Sequence, residues 1–172
     1  MAVSSIVKSA IDGTITLSDG TGTPVTLALS FDLGDLSITG LSQRLNEVVA
    51  VQRRGKLASI RHGARTFPQL TFSAYITSYT GVTSAPGSIM DFVTGTGVYS
   101  ANTSTSSGDV FTCDVTFDIE GTDLGDSADG QIVVADVHFA FDLSEATDGN
   151  TVSLTGTIYG SVTGDVSAAE IA

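Results

Sequence analysis

Thr151-Val152-Ser153-Leu154-Thr155-Gly156-Thr157-Ile158-Tyr159-Gly160-Ser161-Val162-Thr163 alternates almost without a break. Successive side chains of an extended chain point to opposite faces. Val152, Leu154, Ile158 and Val162 therefore share one side, and Thr151, Ser153, Thr155, Thr157, Tyr159, Ser161 and Thr163 share the other. A strand built this way buries one face and offers water a row of hydroxyls.

The same period runs through residues 111 to 120, with Phe111, Cys113, Val115, Phe117 and Ile119 on one face and Thr112, Asp114, Thr116, Asp118 and Glu120 on the other. Cys113 reads as a core thiol. Residues 132 to 143 repeat the design, with Val133, Ala135, Val137, Phe139, Phe141 and Leu143 expected inward and Asp136, His138 and Asp142 outward. Earlier strands are expected over 14–18, 23–31, 35–40, 43–53 and 66–79. Asp-Gly pairs at 12–13, 19–20, 129–130 and 148–149 supply the positive φ angles that tight hairpins require. The fold class is therefore all-β: a β-sandwich or barrel of about eight strands. One segment breaks the period, because Ile89, Phe92 and Val93 stand at helical spacing behind Ser88 and ahead of Gly95 and Gly97. It predicts one short flanking α-helix over 87–95. Asn102 to Gly108 has no apolar residue to anchor it and reads as an exposed loop, and 165–172 as a loose C-terminus.

The 172 residues, 41% hydrophobic, suffice for a single domain spanning 1–172 that buries roughly 70% of its unfolded surface. Cys113, the one cysteine, has no partner for an intramolecular disulfide, so packing or assembly must hold the chain together. The first twenty residues hold one Lys and no apolar run, so no secretory leader is expected, and no run of 18 apolar residues exists to cross a bilayer.

Charge is segregated along the chain. Six of the seven bases, Arg44, Arg53, Arg54, Lys56, Arg61 and Arg65, lie within residues 44–65 beside one acid, Glu47, whereas residues 66–172 hold 14 acids and no base. The net charge is −12. Such a surface repels a phosphate backbone as a whole. The Gly-punctuated basic stretch could be a solvated loop folding back on its own subunit, or it could project and dock copies of the chain head to tail.

Little in the sequence suggests chemistry. Asp118 and Glu120 share a strand face and could serve as a carboxylate pair, but there is no Trp for a sugar platform. Asp123, Asp126 and Asp129 recur every third residue, away from the one-three-five spacing of an EF-hand loop, so cation binding there is an open, weakly signalled possibility. His62 and His138 have no Cys or His at zinc spacing, and there is no Gly-x-Ser-x-Gly or phosphate-binding glycine loop. The reading is of a protein that is not an enzyme and carries no cofactor and no metal.

The order Ile11-Asp12-Gly13-Thr14-Ile15, Asp19-Gly20-Thr21-Gly22-Thr23-Pro24, Gly34-Asp35-Leu36-Ser37, Arg53-Arg54-Gly55-Lys56 and Arg61-His62-Gly63-Ala64-Arg65-Thr66-Phe67-Pro68, followed by the short helix and Gly97-Val98-Tyr99, resembles the major tail tube proteins of long-tailed, siphovirus-like bacteriophages. The likeness spans nearly the whole chain. It implies a β-sandwich that assembles into stacked, hexameric rings whose strands join into a continuous barrel, the conduit for DNA during ejection. It also implies a tail component of the virion assembled in the host cytoplasm. Its partners would be further copies of itself, a tape measure protein and a tail terminator, with DNA passing through without specific binding. In the family a long loop reaches the neighbouring ring, and the matching positions are 53–66. Arg53, Arg54, Lys56, Arg61 and Arg65 are thus the candidate inter-ring contacts. Polar strand faces give the candidate lumen residues: Asp114, Asp118, Glu120, Asp136, Asp142, Ser153, Thr155 and Thr157. Two other readings remain open: a related ring, terminator or capsid-decoration protein, and a carbohydrate-binding β-sandwich.

Overall fold

The computed structural model describes residues 13–19, 23–29, 36–41, 46–78, 87–99, 110–119, 129–145, 147 and 149–164. The expected loop 102–108, the tail 165–172, Glu120, Asp123 and Asp126 lie outside these residues. The elements are β1 (Thr14–Ser18), β2 (Thr26–Leu29), β3 (Ser37–Thr39), β4 (Asn46–Arg53), β5 (Lys56–Arg65), β6 (Gln69–Tyr75), α1 (Ile89–Thr94), a 3-10 turn (Gly97–Tyr99), β7 (Cys113–Ile119), β8 (Gly130–Ser144), β9 (Thr151–Ile158) and β10 (Val162–Gly164). Eight strands form one antiparallel sheet in the order β2-β1-β7-β8-β9-β6-β3, with β10 on β8, while among the described residues β4 and β5 pair only with each other. The all-β class with one short helix holds. The stretch 53–66, expected as a loop, is instead the tip and second strand of a hairpin.

The sheet turns on β8. Its first half pairs with β7, its second with β9, and β10 lies along Ile132–Val134. At the junction, Cys113 opposes Val137 but Val115 opposes Val134, so β8 spends one residue more than its partner. This is a β-bulge, and Asp136 within it takes the left-handed φ of 53°. The bulge removes one N–H from the ladder, and the Asp114 carboxylate accepts it at 3.1 Å. On the other edge, Tyr159 N donates to the Asp136 carbonyl at 3.0 Å and Ala135 N to the Ser161 carbonyl at 2.9 Å. Between those two bonds stands Gly160, where a Cβ would lie 2.6 Å from the Ala135 carbonyl oxygen, so only glycine permits the approach.

A single extra residue moves every later side chain to the other face. Ile132 and Val134 face the core before the bulge, and Val137 and Phe139 after it. Val133 and Ala135, expected inward, are half-exposed for this reason, and Phe141 and Leu143 run out beyond the core into solvent. The bend brings both halves of the sheet onto one core: Ile15, Leu17, Leu27, Leu29 and Val115 from one side join Leu70, Phe72, Val152, Leu154 and Ile158 from the other. Cys113 belongs to this core, and burial pushes its thiol well above the usual range, with Asp114 and Asp19 adding to the effect. Among the described residues, β2 and β3 end the sheet without pairing to each other, which leaves it open in one subunit.

Helix α1 is defined at both ends. Ser88, in extended backbone, accepts from Asp91 N at 3.1 Å and donates to Asp91 Oδ2 at 2.8 Å, and Gly95 closes the helix at φ 62°. Thr96 Oγ1 donates to Asp91 Oδ1 at 3.2 Å, so one buried carboxylate ties the start of the helix to the residue beyond its end. Phe92 is sealed by edge-to-face contacts with Tyr99 (5.0 Å) and Phe111 (5.6 Å). Tyr99 is wholly buried, and burial, with Asp19 and Asp91 nearby, raises its hydroxyl pKa to about 12.

Three stability outcomes follow from this packing. Asp114→Ala strands the Asp136 N–H and costs about 1–3 kcal/mol, and Asp136→Val is ~1–2 kcal/mol worse than Asp136→Gly because a branched residue resists the left-handed backbone. Urea melts decide both, and equal stability of the two Asp136 variants would remove the bulge from the account. Phe92→Ala costs about 3–5 kcal/mol as a buried ring deleted from a packed cluster. A loss below ~1 kcal/mol in the same melts would mean that α1 does not close the core.

Candidate assembly surfaces

Hairpin β4–β5 turns through Arg54 (φ 49°) and Gly55 (φ 76°), the two left-handed residues of a tight hairpin turn whose twist matches that of its strands. Its register places Val48 opposite His62, Ala50 opposite Ile60 and Gln52 opposite Leu57, and the alternate pairs are Val49–Arg61, Val51–Ser59 and Arg53–Lys56. Cross-strand partners share a face. One face is therefore apolar apart from Gln52 and His62, and the other carries Arg53, Lys56 and Arg61 with Val49 and Val51. Three aliphatic side chains on the apolar face stand well out in solvent: Val48 at 65%, Leu57 at 59% and Ile60 at 64% exposure. The structure thus brings Arg53, Lys56 and Arg61 together on one exposed face, puts Arg54 at the tip, and pairs Arg65 with Asn46 at the hairpin's base. The apolar face is the feature missed by sequence reasoning. Two β-like runs separated by Arg54-Gly55 were its available signal.

The candidate lumen residues fall into two groups, one on each side of the bend in β8. Asp114, Thr116 and Asp118 on β7 share the polar face of β1, where Asp118 accepts from Thr14 Oγ1 at 3.2 Å and from Gln131 Nε2 at 2.8 Å. Asp114 is committed to the bulge amide, and Asp136 sits in the bulge itself. In the second group, Asp142 opposes Ser153, Thr155 lies between Ala140 and Thr71, and Thr157 between His138 and Gln69. Ser73 and Ser153 hydroxyls meet at 3.1 Å on this face. Asp142, Ser153 and Thr155 are exposed, whereas Asp114, Asp118 and Asp136 are only partly so.

Beside the helix, an open recess of about 150 Å³ is lined by Phe92, Val93, Thr94, Gly95, Phe111, His138 and Phe139. His138 donates from Nδ1 to the Phe111 carbonyl at 3.0 Å, which fixes the ring at the cavity's edge. No group of three His, Cys, Asp or Glu that could hold a metal occurs among the described residues, and Asp129 is an exposed residue at the start of β8. Cys113 is enclosed by the core and, held as a neutral thiol, is a poor nucleophile.

No protein-family model matches the chain, and no curated protein sequence does. Among solved structures, the chain is similar to one in the cryo-EM structure of an extracellular contractile injection system, PVC sheath/tube terminator in extended state. The TM-score is 0.51 at 12% identity, covering 89% of this chain and 92% of that one. A second similar chain comes from the cryo-EM structure of the anti-feeding prophage (AFP) baseplate, 6-fold symmetrised, with TM-score 0.49, 10% identity, and coverage of 95% and 97%. At 12% identity, what this chain shares with the injection-system chain is its fold.

Proposed function

We propose that this protein is a structural subunit of a phage-tail-like tube, assembling with copies of itself into stacked rings, hexameric by the resemblance, that conduct DNA. The observation that carries the reading is the β4–β5 hairpin. Among the described residues it pairs with no other strand, it exposes both faces, and it concentrates the bases of a chain that is otherwise acidic. A fold shared with a chain from a sheath/tube terminator structure supports it. In this reading the basic face, Arg53, Lys56 and Arg61 with Arg54 at the tip, docks on acidic surface of the adjoining ring. Arg65, at the hairpin's base, belongs to the same contact segment. The open edges β2 and β3 meet neighbouring subunits within the ring, which removes exposed edges that would otherwise invite aggregation. A tape measure protein and a tail terminator complete the set of partners, and the assembled site is the virion tail.

The channel wall is the polar face of β8, β9 and β6, with Asp142, Ser153 and Thr155 turned to the lumen and Thr157 beside them. Asp142, Ser153 and Thr155 are exposed, whereas Asp114 and Asp118 are only partly so. An acidic, hydroxyl-lined wall offers a polyanion no cationic contact to break during transit. A second reading, a tube terminator, draws on the name of the similar structure. Stacking separates the two, since a terminator stops at one ring and a tube subunit polymerises.

Negative-stain images of the concentrated full-length protein are expected to show tubes, and Arg54→Glu with Arg61→Glu is expected to raise the concentration needed for them roughly tenfold or more. Tubes of parental length from that double variant at physiological salt would end the electrostatic docking idea. Discrete single rings would favour the terminator. For the wall, Asp142→Lys with Ser153→Lys is expected to leave tubes intact but make them retain nuclease-resistant DNA at low salt. Retention should fall on a log-log plot against salt with a slope of about −0.9 per phosphate contact. Variant tubes that hold no more DNA than the parent would take this face out of the lumen.

A further inference from the structure

We infer that strand β4 of one copy adds, antiparallel and edge to edge, to the open side of β8 over residues 138–144 in a second copy, so that the hairpin extends its neighbour's sheet. The inference rests on the assembly reading and names the contact that the hairpin makes within it.

Two strand edges carry it. Beyond Val137, β8 leaves β7 and pairs with β9 alone among the described residues. Ile158 N donates to the Pro68 carbonyl, away from β8, so Val137 and Ile158 face each other without ladder hydrogen bonds. Antiparallel pairs alternate in this respect. Phe139, Phe141 and Leu143 therefore turn their N–H and C=O groups to the side opposite β9, and Phe141 and Leu143 are also 36% and 55% exposed. The other open edges are shorter, since β2 has four residues and β3 and β10 three each.

The complement is β4. Both irregularities of the hairpin put the extra residue on β5, which also carries Lys56 and Arg61. Bulges and charges of that kind keep an edge from pairing. β4 has neither, because Val48-Val49-Ala50-Val51-Gln52 is uncharged, rich in β-branched residues and exposed throughout. Such an edge templates a further strand. The two-residue turn closes on a hydrogen bond between Arg53 and Lys56, so alternation turns the N–H and C=O groups of Val48, Ala50 and Gln52 outward.

Antiparallel partners must both point outward, which sets Val48, Ala50 and Gln52 opposite the outward residues of β8. The faces then match without further choice. Val48 and Ala50, with Leu57 and Ile60 behind them, continue the side of Phe141 and Leu143, while Arg53, Lys56 and Arg61 fall on the side of Asp142, with the exposed Glu145 just beyond the strand. A second copy is the occupant because its edge combines length, apolar side chains and acids. β4 against β4, with apolar faces matched, would gather the bases of two hairpins onto one face. The bases stand at the margin of the channel wall, with Asp142 and Glu145 as their counter-charges.

The test mixes full-length chains carrying Ala140→Cys with chains carrying Val49→Cys or Val51→Cys under mild oxidation, and parental chains, whose Cys113 is buried, give the blank. These positions share a face and fall in the closer pairs, those without hydrogen bonds. Disulfide-linked dimers are expected from one of the two mixtures, since the Cβ atoms must approach within about 4.5 Å. Ser59→Cys, opposite Val51 but one strand farther out, is expected to give none. Leu143→Pro removes an N–H that faces no strand of its own subunit among the described residues. The separated subunit should melt as the parent does, while association weakens roughly tenfold or more. Leu143→Val keeps the N–H and should assemble as the parent. Cross-linking through Ser59→Cys equal to that through β4, none from either β4 variant in assembled protein, equal weakening by the two Leu143 variants, or parental assembly of Leu143→Pro would overturn the strand addition and leave the tube reading standing. A parental chain that stays monomeric at every concentration would overturn both.

Discussion

The hydrogen bond from the Asp136 backbone to the Asp114 carboxylate decides the course of β8, and with it the shape of the molecule. A strand of 15 residues with a uniform period would keep one face inward along its whole length and carry its partners in one gently twisted sheet. The extra residue at 136 bends it instead, and two halves of one sheet then share a core. A bulge of this kind leaves an amide without a ladder partner, and a partly buried amide left unpaired is costly. Asp114 accepts that amide, while Gly160 opens the space for the chain on the other edge. Two strand residues, Asp114 on β7 and Asp136 on β8, and Gly160 in the β9–β10 connection thus hold one bend.

This device explains where sequence reading succeeded and where it stopped. Residues 151–158 were legible because nothing interrupts their alternation, and Val152, Leu154 and Ile158 are buried as the period requires. Ile132-Val133-Val134-Ala135 is apolar at both parities, so the pattern cannot locate a slip within it, and choosing Val133 and Ala135 as core residues was the consequence. The helix was legible because Ser88 and Gly95 are capping residues with a local physical role, and both perform it. Strand β5 was hidden by its bases and by the register slip between Val51 and Gln52, which breaks the spacing of Leu57 and Ile60.

The acidic residues mark a second limit. Alternation tells which residues share a polar face but not what that face meets. Asp114 and Asp118, which look alike in sequence to Asp142, are occupied by hydrogen bonds to a bulge amide, a threonine and a glutamine. Their charges help build the subunit, and those of exposed strand residues such as Asp142 are the ones available to a partner or a channel. A strand face therefore cannot be assigned to a lumen by composition alone. The side chains already engaged within the fold have to be subtracted first.

A division of labour between the hairpin's two faces would also resolve a tension in the composition. A surface of −12 net charge resists association with itself, and docking through charge alone would vary steeply with salt. Opposite charges across a contact raise the rate of encounter and exclude wrong partners more than they add affinity. Apolar burial has the complementary properties: it is short-ranged, insensitive to salt, and specific only where shapes match. Placing the bases on one face and Leu57 and Ile60 on the other would let encounter and retention be tuned separately. A two-stranded hairpin is marginal by itself in water, so any surface that buried its apolar face would also order it, and its order would then be coupled to assembly.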